Sequence, residues 1–211
     1  MITPPASPKL PAQLDEWAEL ADDELELEAV SVNGADCTVA RRVAIDGSRL
    51  VTVTMAGAVL DKLGCTDTQI SKLEAAGLQA YKASFLRVSL TDCRLTGAEL
   101  AEGMFEDCVF KNVKFDETGF RFARFTRVRF ENCMLRAADF SKAQFKQVTF
   151  TGCDLEAANF VSAQCDKVDI TGEDLTQVKG LLGLKGATIS SEQLMLLAPL
   201  LASELGFVIQ E

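Results

Sequence analysis

A chain of 211 residues with a hydrophobic share of 48% is long enough to bury the core of one or two domains. No apolar run reaches the ~18 residues of a membrane span, so no membrane association is expected. The sequence contains no histidine, which removes the commonest general base, the usual partner of a nucleophilic Ser or Cys, and the most frequent transition-metal ligand.

The chain opens on MITPPASPKL, which is proline-rich and lacks the basic start and apolar stretch of a secretory signal. A cytoplasmic location is therefore expected. Residues 1–30 hold eight acids (Asp15, Glu16, Glu19, Asp22, Asp23, Glu24, Glu26, Glu28) against Lys9, a net of −7. Residues 183–211 carry −2, so only −1 of the net −10 is left for 31–182. The acidity is thus concentrated in a head segment. Residues 1–30 are expected to be partly disordered and to lie off the folded body.

Residues 83–182 repeat with a period of five. Every fifth residue from 85 to 175 is Phe or Leu at 17 of 19 positions, among them Phe85, Leu90, Phe105, Phe110, Phe115, Phe120 and Phe130, which takes up 11 of the 13 phenylalanines on one register. Two residues earlier stands a small or β-branched residue, as in Ala83, Val88, Cys93, Ala98, Gly103 and Cys108. Five matches neither the helical period of 3.6 nor the strand period of 2. It fits a chain that turns a corner every five residues, with one large and one small side chain inward on each side. The small register also recurs every 20 residues (Val128, Val148, Val168; Ala123, Ala143, Ala163; Cys133, Cys153). Four sides per coil make a square rod, with coils at 83–102, 103–122, 123–142, 143–162 and 163–182.

These residues resemble the pentapeptide-repeat family, whose consensus is A(D/N)(L/F)XX. Ala138-Asp139-Phe140-Ser141-Lys142 and Ala158-Asn159-Phe160-Val161-Ser162 match it fully, and Cys153-Asp154-Leu155 and Ala98-Glu99-Leu100 match with one substitution each. The resemblance implies an all-β, right-handed quadrilateral β-helix. The same register persists more faintly through Ile45, Leu50, Met55, Leu60, Cys65 and Ile70, so 31–82 reads as degenerate coils. Two alternatives stay open there: an ordinary strand over Leu50–Met55, and a short helix or loop over 72–82.

Residues 183–211 differ in kind. Gly183–Ile189 closes the last coil. Ser190-Ser191-Glu192-Gln193 reads as a capping box that opens a helix, and Gly206 as the residue that closes it. Leu194, Leu197, Leu201 and Leu205 form its apolar stripe, and Pro199 is expected to kink it or loosen its first turns. Phe207-Val208-Ile209 is a candidate terminal strand. The helix is expected to cap the solenoid, and its stripe to serve as a homodimer face. Resemblance to quinolone-resistance pentapeptide proteins, which pair through C-terminal helices, implies the same dimer.

Seven cysteines without CxxC spacing predict neither a disulfide framework nor a zinc site. Cys93, Cys133 and Cys153 share one inward column, where free Cys behaves as a small hydrophobe. The carboxylate pairs Glu106-Asp107, Asp116-Glu117 and Glu173-Asp174 read as solvated face positions, because catalytic carboxyls need a concave pocket that separates their pKa values. No catalytic residue, cofactor site or metal site is assigned, and direct nucleic-acid binding is not expected. The coil 123–142 is basic: Arg124, Arg127, Arg129, Arg136 and Lys142 face only Glu131 and Asp139, with Arg121 adjoining. Arg121, Arg124, Arg127, Arg129 and Arg136 form a candidate partner-contact surface, although a neighbouring-rung acid such as Asp107 also suits Arg127. The sequence thus predicts a non-enzymatic scaffold that presents flat faces to a protein partner. What the resemblance implies instead is a DNA-mimicking modulator of DNA gyrase or topoisomerase IV that confers quinolone or toxin resistance.

Overall fold

The structure, a computed structural model, describes residues 2–17, 24–37 and 40–207. Among these residues twelve strands run parallel in one continuous sheet wound into a right-handed square solenoid. They are β1 (Asp15–Trp17), β2 (Glu24–Glu28), β3 (Val30–Asn33), β4 (Arg42–Asp46), β5 (Arg49–Val51), β6 (Lys62–Ser71), β7 (Ser84–Thr91), β8 (Met104–Lys111), β9 (Arg124–Glu131), β10 (Gln144–Thr151), β11 (Gln164–Asp169) and β12 (Ala187–Thr188). From β4 to β11 each rung pairs with the residue twenty positions on, as in Cys65 with Phe85, Phe105, Phe125, Phe145 and Cys165.

The four sides are of two kinds. Two adjacent sides are formed by the strands, each of which from β6 to β10 turns one corner and keeps the same register on both sides of it. The other two are held by isolated bridges, such as Arg94 with Lys114 and Glu99 with Gly119. At the regular corners the residue two after the large inward side chain is left-handed: Arg87 (φ 53°), Asp92 (55°), Gly97 (66°) and Glu102 (56°) form one complete set. After Leu95 and Leu100 the corner closes as a β-turn, with Ala98 N–H on Leu95 C=O (3.0 Å) and Gly103 N–H on Leu100 C=O (3.1 Å). A left-handed third residue is what a type II turn requires. Outside glycine this conformation costs about 1–2 kcal/mol. The coil-to-coil ladder offsets the cost at each turn.

The core is a set of ladders. Phe85, Phe105, Phe125 and Phe145 stack along the axis with ring centroids 5.3, 4.9 and 5.1 Å apart. Phe120, Phe140 and Phe160 form a second ladder at 5.1 Å, and Phe110, Phe130 and Phe150 a third at 5.2 and 4.8 Å. Rings of different ladders meet edge to face, as Phe120 does with Phe125. The small register has its own task. Thr118 Oγ1 donates to the Leu95 carbonyl at 2.8 Å, and Cys108, Cys133 and Cys153 donate Sγ–H to the carbonyls of Phe85, Phe110 and Phe130. A small side chain with a weak donor therefore satisfies a buried carbonyl of the preceding coil.

The ladder continues upstream of residue 83. Residues 72–82 run as coil, with bridges at Glu74 and Gln79, and form neither the helix nor the loop kept as an alternative. Leu50 lies in β5, a rung of the ladder paired on both edges. Above β4 the spacing changes: Leu25 pairs with Val43 and Val32 with Leu50, eighteen residues apart. The first full coil is two residues short. Leu27, Val32 and Cys37 are buried and still five apart, but two residues out of phase with Ile45, Leu50 and Met55. Residues 2–11 do not stand off the rod. They lie along it, and β1, β2 and β3 belong to its sheet.

At the other end a 3-10 turn (Leu181–Leu184) leads into β12 and then α1 (Ser191–Glu204). Gly183 crosses the last coil so closely that a Cβ there would sit 1.8 Å from the Phe160 carbonyl oxygen. Ser190 caps α1 with a reciprocal box to Gln193. Gly206 (φ 80°) closes it, with Gly206 N–H on Ser203 C=O and Phe207 N–H on Ala202 C=O, a Schellman arrangement. The helix continues through Pro199. The strand expected from Phe207 to Ile209 falls largely on residues 208 and 209, outside the described residues.

Candidate interaction surfaces

The five arginines singled out in the sequence do not form one surface. Arg127 leaves β9 toward β8 and holds Asp107 through two hydrogen bonds (2.7 and 2.8 Å), with a further bond to Glu106. Arg129 pairs with Glu131 (3.4 Å) and Arg121 with Asp139 (3.8 Å), while Arg136 lies between Asp154 and Glu156 on a turn side. Arg124, exposed, has no ion-pair partner among the described residues. It borders a depression of about 330 Å3 with Thr126, Gln144, Lys146, Gln164 and Asp166. The +3 count of this coil is therefore largely balanced by acids on its own and adjacent rungs.

One column concentrates this pairing. Asp67, Arg87, Asp107, Arg127 and Gln147 occupy the left-handed corner between the two strand sides on five successive coils. Arg87 holds Asp67 as Arg127 holds Asp107, with both oxygens engaged at 2.6 Å. The guanidinium hydrogen bonds hold both carboxyls below the ordinary Asp range, against the opposing effect of burial. Arg-to-carboxylate forks of this kind are stronger than neutral hydrogen bonds and fixed in direction. The aspartate side chains are only 13% and 11% exposed.

The N-terminal segment runs along this same column. Thr3 N–H donates to Gln147 Oε1 (3.2 Å), Ala6 N–H to Asp107 Oδ1 (3.0 Å) and Lys9 N–H to Asp67 Oδ1 (2.9 Å). Pro11 packs over Gly47, the next corner up the column, with its Cδ 3.2 Å from where a Cβ would stand. Hydrophobic period does not reveal this contact. The threefold spacing of Pro5, Pro8 and Pro11 was the available signal.

At the C-terminal end the predicted leucine stripe divides. Leu197 is buried in the core and Leu201 packs against it, whereas Leu194 and Leu205 are more than half exposed. Met195, Leu196, Leu200 and Phe207 are exposed beside them. Gln193 plugs the coil end, its Nε2 donating to the carbonyls of Ile170 (2.9 Å) and Glu173 (2.8 Å). Glu173 takes a small-register position, is 6% exposed, and accepts from Cys153 N–H at 2.8 Å. Burial pushes its carboxyl above the ordinary Glu value. Glu204 accepts from Leu181 and Leu182 N–H at 3.1 Å, which ties the end of α1 back to the 3-10 turn.

All seven cysteines are free thiols. Burial raises the Cys93 thiol to about 11 and those of Cys65 and Cys108 to about 12, which keeps them protonated and unreactive. Among the described residues no helix is long and apolar enough to cross a membrane.

A parallel sheet wound into four-sided coils, with one large and one small inward residue per side, defines a β-solenoid protein. Residues 83–160 and 123–179 match the family described as "Pentapeptide repeat region", so the regular coils of this chain are pentapeptide repeats. Its fold is similar to that of QnrB1, a plasmid-mediated fluoroquinolone resistance protein (20% identity, 94% of this chain and 98% of that one, TM-score 0.40). It is also similar to HetL, a pentapeptide repeat protein involved in heterocyst differentiation regulation from Nostoc sp. strain PCC 7120 (17%, 83% and 89%, 0.38). AT2G44920, from the Arabidopsis thaliana thylakoid lumen, matches over 46% of this chain and 69% of its own (21%, 0.32). No curated protein matches the chain.

Proposed function

We propose that the chain is a non-catalytic scaffold that offers flat solenoid faces to a protein partner and pairs with a second copy through α1. The observation that carries this reading is how charge is arranged on the rod. Arginines and acids pair from rung to rung, which neutralises the strand sides and keeps them flat and rigid. Charge complementarity on such a face selects a partner more than it adds affinity. The exposed apolar side chains of α1 support the second contact, because Leu194, Met195, Leu196 and Leu205 all stay outside the core. Apolar clusters of this kind mark association surfaces.

The reading in which the rod imitates duplex DNA toward gyrase or topoisomerase IV needs a continuous line of negative charge, since DNA carries one charge per ~1.7 Å of axis. The column Asp67, Arg87, Asp107, Arg127 alternates in sign instead. Pull-down with the full chain followed by a gyrase supercoiling assay separates the two: capture of a protein partner without protection of gyrase is expected. For assembly, light scattering should give a dimer for the full chain and a monomer after Met195→Glu with Leu196→Glu. An unchanged mass after both substitutions overturns the α1 dimer.

A further inference from the structure

The N-terminal segment and the corner column agree in length. Thr3, Ala6 and Lys9 donate at intervals of three residues, to acceptors on Gln147, Asp107 and Asp67 at intervals of forty, which is two coils. Two coils at the ~4.8 Å strand spacing rise about 9.6 Å. Three residues of polyproline II rise about 9.3 Å. No other regular backbone has both a threefold repeat and this rise, and Pro4, Pro5, Pro8 and Pro11 fix φ for it. From Ile2 to Lys9 the side chains follow the same period: Ile2, Pro5 and Pro8 are half-buried toward the rod, whereas Thr3, Pro4, Ala6, Ser7 and Lys9 are exposed. The period ends there, with Leu10 half-buried and Pro11 exposed. The segment thus lays one edge on the solenoid and presents a backbone N–H to every second coil.

The column is adapted to receive it. Asp67 and Asp107 are clamped by Arg87 and Arg127, so their Oδ1 atoms are held in place before the segment arrives. Each carboxylate then accepts one backbone N–H in addition to the guanidinium. Acceptor, arginine, acceptor, arginine, acceptor is a ruler of alternate coils. A ligand without a free N–H every third residue, or with a helical or strand rise, falls out of step with it.

From this match we infer that the corner column from Gly47 to Gln147 is a recognition groove for proline-rich polyproline II segments, and that residues 2–11 occupy it in cis. A partner protein with a segment of that kind binds by displacing the chain's own. Polyproline II ligands suit such a role because little ordering entropy is lost on binding. The inference rests on the scaffold reading in that it names the class of partner. The groove itself is tested separately from any pull-down.

The probe is a fluorescent peptide of residues 2–13, measured by anisotropy against the full chain and against full-chain Pro5→Gly with Pro8→Gly, which loosens the cis segment. Cis occupancy lowers apparent affinity by the fraction of open groove, so the loosened chain should bind about tenfold more tightly. Gln147→Ala, an outward substitution that leaves the ion pairs intact, should weaken that binding severalfold, and Asp92→Ala on another corner should not. Equal peptide affinity in native and loosened chains overturns the inference, as does equal binding of a peptide with all four prolines replaced by alanine. Assembly of the loosened chain beyond the α1 dimer, without peptide binding, assigns the groove to a second copy and overturns the partner reading.

Discussion

The central coils and the first coils follow one rule with different materials. Between residues 103 and 162 three phenylalanine ladders stack along the axis, and their edges interlock across it. Between residues 24 and 82 the same inward positions hold Leu27, Val32, Ile45, Leu50, Leu60 and Ile70, and the small register includes Ser48 and Thr68. Both regions are sealed, yet only the centre gains aromatic pairing, worth about 0.5–1.5 kcal/mol per pair beyond burial. The comparison teaches that the register builds the solenoid, while the choice of residue sets how firmly each coil is held.

The largest effect should come from breaking the centre. Phe130 is fully buried and meets Phe110, Phe150, Phe115, Phe125 and Phe140. Phe130→Ala should cost about 3–5 kcal/mol in a denaturant titration. Leu50→Ala, at the equivalent place in β5, should fall at the lower end of ~2–5 kcal/mol, because a short coil near the rod's end can relax. Thr126→Ala, outside the central stack, should stay within ~0.5 kcal/mol. Equal losses at Phe130 and Thr126 would break the register itself.

The same contrast explains what was legible. A phenylalanine every five residues is hard to mistake, and the capping box with Gly206 marked α1 from Ser190 onward. The first coil was hidden because two residues are missing between Cys37 and Val43, which shifts Leu27, Val32 and Cys37 out of phase without exposing them. The N-terminal segment read as a detached acidic head because a polyproline II contact carries no hydrophobic period. Its hydrogen bonds run from backbone to side chains more than fifty residues away. The basic count of coil 123–142 suggested a surface because sequence shows charges along the chain; the twenty-residue period already placed Asp107 one rung from Arg127, whereas the partners of Arg121 and Arg136 were not legible in it.

The two ends of the rod offer a sharper test of intermediate size. At the C-terminal end Glu173 replaces a small residue and satisfies the backbone N–H of Cys153 from a buried position. Glu173→Ala leaves that donor unpaired and should cost about 1–3 kcal/mol. Glu173→Gln keeps an acceptor and removes a buried charge, so it should cost less than half as much, or nothing. If both substitutions cost the same, an acceptor of the same shape does not replace the carboxylate, and satisfaction of the Cys153 N–H alone does not account for Glu173.

The smallest effect, and the most specific, concerns the N-terminal contact as pH falls. The guanidinium bonds of Arg87 and Arg127 hold the Asp67 and Asp107 carboxyls below their ordinary value, and the N–H groups of Lys9 and Ala6 lower them further. A carboxyl depressed in the folded state contributes stability that is complete above its unfolded value of about 3.9 and is lost as pH falls through the folded value. The amides of Ala6 and Lys9 should therefore shift in a 15N–1H titration only below pH ~4, with midpoints under the ordinary Asp value. Thr3, whose acceptor is the uncharged Gln147, should move least. Asp67→Asn keeps an oxygen in place without a titrating charge, so it should remove the response at Lys9 and leave that at Ala6. A common midpoint near 3.9 for all three amides would show that the segment does not sense the clamped column. Separate midpoints would distinguish the two clamps, because Arg127 divides its hydrogen bonds between Asp107 and Glu106 while Arg87 gives both of its own to Asp67.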